Sequence, residues 1–293
     1  MSDLAPAELD GRTELATTGA AGGGSRLRPA SPVVVLVSMV GALCLGLPVA
    51  ALVARAALDG SLAGQLGSAA VLHALGLSLA TTAVSVGVTI VLGGPLAYVL
   101  ARRRIRGAAV LETIVDLPIV LPPSVAGLAL LLLLGRRGVL GEPLAALGIE
   151  LPFTVAAVVI AQSFVSAPLF VRSARTGIAA VDPDVEDAAR VDGASELALI
   201  RSIVVPLASP ALAAGLVMSW ARALGEFGAT IMFAGSIEGR TETLPLVVYG
   251  EFQAGSLDAS IAAGVILVVA AFGVLVAVRA LHWGRILDVR SLG

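Results

Sequence analysis

Two ionisable residues stand where charge is expensive: Arg222 and Glu226, four apart in the otherwise apolar stretch WARALGEFGATIMFAG. A charge at the centre of a bilayer costs at least about 2.5–3.5 kcal/mol on insertion scales, so such residues face a protein interior and pair. A spacing of four puts both on one helix face, where they can reach each other. Two roles fit, a gate or pathway element and an ion pair that locks helices together. Gly225 and Gly228 permit close helix contact or a local break in either role. Other reactive chemistry is sparse. Cys44 is the sole cysteine, and the two histidines, His73 and His282, lie far apart, so no intrachain disulfide and no Cys- or His-based metal site is expected. The chain has no lysine, all 19 of its basic residues being arginine. That excludes Schiff-base chemistry and a phosphate-binding loop of the Walker type, which needs its lysine. No clustered nucleophile or acid/base pair stands out either, so an enzyme is not expected.

The elements that must hold these residues are membrane helices. Of 293 residues 57% are hydrophobic and only 14% charged, with mean hydropathy +0.97, which defines an all-α integral membrane protein. A net charge of −2 gives no sign of a nucleic-acid partner. Residues 1–31 are polar, small and aperiodic, as expected of a disordered cytosolic tail. The first apolar run, Pro32 to Ala54, is long enough to span, which favours a signal anchor over a cleaved signal. With the loop after it, it makes a segment 32–70. The remaining transmembrane domain covers 71–283, with runs at about Val71 to Leu100, Ile114 to Leu134, Leu151 to Val171, Ile203 to Phe233 and Ala259 to Leu281, and a cytosolic tail at 284–293. The third run carries Asp116, Pro118, Pro122, Pro123 and Ser124. Prolines at membrane depth free carbonyls and kink a helix, which suits a position facing a pathway or a packing contact rather than lipid. Between the last two runs, Ser236 to Asp258 is too polar to span and reads either as a re-entrant or interfacial segment or as a surface loop.

Six spans put both termini on one side. That side then holds fourteen arginines, in the N-terminal tail, in ARRRIRG (Arg102 to Arg106), around the segment 181–206 and at the C-terminal end; the other side holds Arg55, Arg136, Arg137 and Arg240. The positive-inside bias therefore places the termini and the segment 181–206 in the cytosol. No convincing repeat relates the two halves, as one often does in a secondary transporter.

The segment VDPDVEDAARVDGASELALIRSIVVP, Val181 to Pro206, is the one long polar island in the hydrophobic C-terminal half. Asp182 can cap a helix whose first position is Pro183, with Asp184, Glu186 and Asp187 near its exposed N–H groups. Glu186 and Arg190 can pair four apart for about 0.2–0.5 kcal/mol. Val185, Ala188 and Ala189 make a small smooth face, and Gly193 stops the helix. Ser195 can cap a second short helix through Ile203, with Pro206 and Pro210 marking the start of the next apolar run.

From Asp187 this island resembles the EAA loop of bacterial ABC importer permeases, at Asp187, Ala188, Ala189, Gly193, Ile203 and Pro206. Asp replaces the usual Glu, and Val205 stands where Leu commonly precedes the proline. Several motifs in order, LPIVLPPSVAGLALLLLLGRRG, QSFVSAPLFVRSA, RALGEFGATIMFAG and RTETLPL, closely resemble the permease subunit of molybdate ABC importers. Sulfate permeases share the layout but commonly have Gly-Glu-Tyr-Gly where this chain has Gly225-Glu226-Phe227-Gly228, which favours molybdate and leaves tungstate, sulfate and thiosulfate as alternatives. The resemblance implies a type I ABC importer permease fold with six transmembrane helices and cytosolic coupling helices, in the bacterial cytoplasmic (inner) membrane. It implies a homodimer of permeases, a cytoplasmic ATPase subunit carrying ATP and Mg, and a periplasmic or lipid-anchored binding protein, with no cofactor bound by this chain itself. Glu186, Asp187, Ala188, Ala189, Gly193, Ile203 and Pro206 would couple it to the ATPase. Arg222, Gly225, Glu226, Gly228, Thr230, Pro122, Pro123, Ser124, Ser166 and Thr243 are the gate or pathway candidates.

Overall fold

Helix follows helix throughout the computed structural model, which describes residues 31–58, 68–103 and 105–290, with side chains through 276. The expected N-terminal tail (Ser31 apart), the loop after the first helix and the last three residues lie outside the described residues. The chain divides into two compact units, residues 1–47 and 48–293. Of the first, the described part belongs to α1 (Pro32–Leu58), whose side chains are exposed on every side through residue 50. A helix apolar all round needs an apolar surrounding.

The second unit is built on α2 (Ala69–Ala101) and α6 (Val155–Ala179). Ser78, Thr82, Ser85, Thr89 and Gly93 lie three or four apart on α2 and are all buried, so its interior face is small and hydroxylated. Such residues let helix backbones approach closely in lipid, where no hydrophobic effect drives them together. The two helices run parallel. The Gln162 amide donates to Thr82 Oγ1 at 3.4 Å, the Ser85 and Ser163 hydroxyls meet at 3.0 Å, and further along both helices Gly93 faces Phe170 and Val171. The helix α9 (Val205–Leu224) packs antiparallel on α6. A Cβ on Gly177 would lie 2.3 Å from Ala211 Cβ, and one on Gly215 would lie 2.7 Å from Ser173 Cβ.

Two parallel neighbours oblige the chain between them to come back. It does so through α3 (Ala108–Val120) and α4 (Pro123–Leu134), which are bent by 117° at a short break. The expected third run is thus two helices rather than one kinked one, because Pro122 and Pro123 are adjacent and neither supplies an N–H to continue the ladder. The start of the pair lies beside the end of α6, where Arg172 binds Asp116 at 2.9 Å and Arg175 binds Glu112. The far half, with Ala126 and Leu130, is buried with Ala157 and Val158 at the beginning of α6. The bent pair therefore makes one crossing. With the five helices among the described residues that are long and apolar enough to cross singly, it brings the crossings there to six.

Other boundaries also differ from expectation. The fourth run extends as helix to Ala179 and takes Arg172 and Arg175 into its last turns. The fifth is interrupted after Leu224 and resumes as α10 (Gly228–Phe233). Within the island, α7 (Pro183–Val191) is followed by α8 (Glu196–Leu199), which does not stop at Ile203 but continues through a wide π turn, Ile200–Val204, into α9. Pro206 and Pro210 consequently lie in the first turns of that span. The Pro206 ring crowds the carbonyl four residues back, and a wider turn relieves it. A short α5 (Gly141–Ala146) occupies the link before α6. The Ser236 to Asp258 segment is no ordinary surface loop, since α11 (Leu244–Gln253) buries Leu244 and Val247 against Val71, Ala74, Ala263 and Ile266. The last helix, α12 (Leu257–Arg290), takes in residues 284–290 of the expected C-terminal tail.

The close α6–α9 contact gives a stability test. Gly177→Val is expected to destabilise by about 1–3 kcal/mol through overpacking, while Gly87→Val, where nothing lies within 4 Å, changes little. Thermal unfolding in detergent distinguishes them, and equal midpoints for the two variants would contradict this packing.

Candidate functional site: the polar island and the broken helix

The island is a helical hairpin on an apolar floor. Asp182 Oδ1 accepts from the Asp184 N–H at 3.0 Å and Ser195 Oγ from the Ala198 N–H at 3.3 Å, so both expected caps form. Gly193 has φ +87°, a left-handed conformation that a side chain would strain, and the Ala194 N–H returns to the Ala189 carbonyl at 3.0 Å to close α7. Beneath lie Ala97 and Leu100 of α2, Phe170, Ala174 and Ile178 of α6, and the island's own Val181, Leu199 and Val204. Outward face Asp187, Ala188 and Gly193 together with the apolar side chains of Val185, Val191 and Leu197, Val191 being 87% exposed. Ala189 and Ile203 are half-buried and Pro206 is exposed.

The acids divide between inside and outside. Glu186 is only 2% exposed. Its Oε2 binds Arg190 at 3.0 Å, as the spacing predicted, and its Oε1 binds Arg102 from the end of α2. Asp187, one position on, is open to solvent and accepts from Arg190 at 2.6 Å. Desolvation works against the charge of Arg190, but hydrogen bonds and attraction from Asp187 and Glu186 prevail and raise its pKa, so it stays cationic. The roles of Arg102 and of Tyr98, whose hydroxyl donates to Glu196 Oε1 at 2.7 Å, escaped the sequence. ARRRIRG was read only as topogenic charge, and with 84 positions between Arg102 and Glu186 no local pattern signalled the pairing.

The second place is the break between α9 and α10. Glu226 is 1% exposed, and its carboxylate serves both helices. Oε2 meets Arg222 Nη1 at 2.5 Å, and Oε1 accepts from the Ala229 N–H at 2.7 Å, which caps α10. The four-residue spacing thus pairs the two residues as expected, while the cap belongs to a helix start that the apolar run concealed. Gly225 is exposed at the turn. Gly228 lies against the bend of the other broken pair, where an added Cβ would come 2.6 Å from Pro123 Cβ and 3.1 Å from the Ser124 nitrogen. Pro122, Pro123 and Ser124 are otherwise exposed. Thr230, Thr243 and Ser166 are buried, and their hydroxyls have no hydrogen-bond partner among the described residues. The candidates therefore fall into the hairpin, with Glu186 turned inward, and a group at two helix breaks, while Thr243 begins α11 and Ser166 lies within α6.

Among the described residues the fold is all-helical, with six apolar crossings, two of them broken, and a polar hairpin at one end. The family described as binding-protein-dependent transport system inner membrane component matches residues 90–284, and the chain belongs to it. It is 44% identical over 207 residues to the molybdenum transport system permease protein ModB of Mycobacterium tuberculosis, covering 71% of this chain and 78% of that protein. It is 39% identical over 205 residues to the probable transport system permease protein NifC of Clostridium pasteurianum, covering 69% and 71%. Among solved structures, a bacterial ABC transporter that imports the acidic polysaccharide alginate superposes with TM-score 0.65 at 18% identity, covering 85% of this chain and 93% of that one. That likeness concerns the fold, and it agrees with the type I importer permease architecture expected from the motifs. The chain is accordingly a multi-pass subunit of an inner-membrane transport system.

The double duty of Glu226 sets an order among variants. Glu226→Gln keeps an oxygen for the Ala229 N–H and is expected to cost less stability than Glu226→Ala, by about 1 kcal/mol for the cap. Arg222→Ala leaves a buried anion without its cation and is expected to cost more than Arg222→Ala combined with Glu226→Gln. Thermal stability in detergent reads both comparisons, and an additive double variant would mean that the pair does not interact.

Proposed function

We propose that this chain is the permease subunit of an ATP-driven importer that carries molybdate across the cytoplasmic membrane, coupled to a separate ATPase subunit. The observation that carries this reading is the 44% identity, over most of both chains, to a permease named for molybdenum transport. The absence of lysine removes any Walker-type phosphate loop from the chain itself, so ATP and Mg belong on the partner ATPase. The island supplies a fitting docking surface: capped helices joined by a glycine turn, and small or apolar side chains at Val185, Ala188, Val191 and Leu197 facing outward. In this reading Asp187, Ala188, Ala189 and Gly193 meet the ATPase, Glu186 orients them from beneath, and Ile203 and Pro206 join the island to α9. The island and both termini face the cytosol, following the arginine bias.

Two copies of the chain enclose the path, and a periplasmic or lipid-anchored binding protein delivers the anion. Closure of the ATPase pair moves the hairpin, and the crossings rock between inward- and outward-open states. Direction comes from differential contacts in the two states rather than from tight binding by the permease. Pro122, Pro123, Ser124 and Thr230 at the two breaks, with Thr243 at the start of α11 and Ser166 on α6, line or shape the path. Neutral hydroxyls there offer an oxyanion transient hydrogen bonds without trapping it.

Uptake into proteoliposomes holding this chain, its ATPase and the binding protein tests the reading. ATP-dependent uptake is expected with molybdate, and tungstate is the competitor of matching size and charge. Equal uptake of sulfate would change the substrate assignment, and uptake without ATP would overturn the mechanism. Ala188→Arg is expected to insert normally yet lose ATPase association and more than nine-tenths of uptake; unchanged association would remove the island from the coupling surface.

A further inference from the structure

We propose that Tyr98 and Arg102 on the last turn of α2 form a clamp that transmits movement of the island to the transmembrane core, acting as positioning residues for the coupling reaction. The inference rests on the proposed ATPase coupling and adds to it a route that the island's own chain connections do not supply. In sequence the island is joined only to α6 and α9. The helix α2 lies 84 positions before Glu186, counted from Arg102, yet it reaches the hairpin at three points. Tyr98 and Arg102 stand four apart and so share a face of α2. The Tyr98 hydroxyl donates to Glu196 at the start of α8, and Arg102 binds Glu186 of α7 and donates to the Val181 carbonyl at 3.3 Å, where α6 passes into α7. One helix end therefore holds both arms of the hairpin and its root.

The setting distinguishes this clamp from the chain's surface ion pairs. The Arg102 and Glu186 side chains are 12% and 3% exposed, against 73% and 54% for Arg136 and Glu150. An ion pair shielded from water is stiff, whereas an exposed one contributes little and gives way readily. The hairpin needs such a tie, because α7 and α8 are connected through Gly193 and make few contacts with each other. Without it, each arm could tilt separately when pushed. At the opposite end of the same helix, Ser78 Oγ accepts from the Leu244 N–H at 2.8 Å, at the start of α11. A displacement of α7 is therefore passed to α2 as a whole and on to α11, next to the buried Thr243, without travelling through the bent α3–α4 pair.

The test compares wild type with Arg102→Gln, Arg102→Lys and Tyr98→Phe, each reconstituted with its ATPase and a molybdate-loaded binding protein. Two quantities are read: co-purification with the ATPase, and anions taken up per ATP hydrolysed. A merely structural defect lowers uptake and hydrolysis together and leaves their ratio unchanged. Arg102→Gln is expected to co-purify and hydrolyse ATP while anions per ATP fall at least tenfold. Arg102→Lys should recover more than half of the ratio, and Tyr98→Phe should lower it two- to fivefold. An unchanged ratio in Arg102→Gln overturns the clamp. If that variant does not assemble, Tyr98→Phe decides, a lowered ratio supporting the clamp and an unchanged one overturning it. A wild-type chain that binds no ATPase removes the functional reading, and the clamp with it.

Discussion

A chain in hydrocarbon has no water to satisfy an unpaired backbone group, so a broken helix is tolerated only where other protein atoms cover the break. Here two breaks cover each other. Residues 121–122 interrupt one crossing and residues 225–227 another, and Gly228 brings the second against Pro123 and Ser124 at the start of α4. The first break leaves few donors stranded, because two successive prolines have no N–H. The second is closed by Glu226, which gives one oxygen to the Ala229 N–H and the other to Arg222. Gly127 completes the contact, since any Cβ there would strike the Ala229 carbonyl at 2.7 Å. The packing of α4 on α10, and through both on α6, depends on that small set of residues.

This explains which parts of the fold were legible in the sequence. Long apolar runs bounded by polar ones gave the crossings, and Pro122 with Pro123 announced an irregular third one. The angle of 117° was not legible, because it depends on what Gly228 and Gly127 allow to approach from another part of the chain. The Arg222–Glu226 pair was legible through its spacing, whereas the cap was not, since Gly225 and Gly228 permitted a break without fixing a helix start at Gly228. At the island the caps and the glycine turn were readable because they are local. Which of two adjacent acids turns inward was not, because Arg102 fixes it from a distant segment. The family's acid position falls on Asp187, yet the buried carboxylate is Glu186.

The hydroxyl residues carry a second lesson. In sequence, Thr82, Ser85, Gln162 and Ser163 are polar residues scattered within apolar runs. In the fold they form the seam along which α2 and α6 meet. Such a seam is held by short contacts and a few hydrogen bonds rather than by bulky interdigitating side chains. Interhelical hydrogen bonds of this kind contribute on the order of 1 kcal/mol each, enough to set register and light enough to permit small displacements between helices.

The direction of these helices also decides how the arginines are distributed. Were the α3–α4 pair re-entrant, α2 and α6 would run in opposite directions, and Thr82 and Gly93 could not meet Gln162 and Val171 in the same order along both helices. Because they run parallel, the last turn of α2, the end of α6 and the beginning of α9 share one end of the unit, and with them Arg102, Arg172, Arg175, Arg190 and Arg201. Arg136 and Arg240 lie in connections at the other. Several arginines of the richer end are bound to Glu112, Asp116 and Glu186, which lowers the net charge there. The topogenic rule counts basic residues near the crossings and takes little account of acids, so the asymmetry survives the pairing. Arg102, Arg172 and Arg175 thus both add to the basic asymmetry between the two ends and tie α3 to α6 and the island to α2.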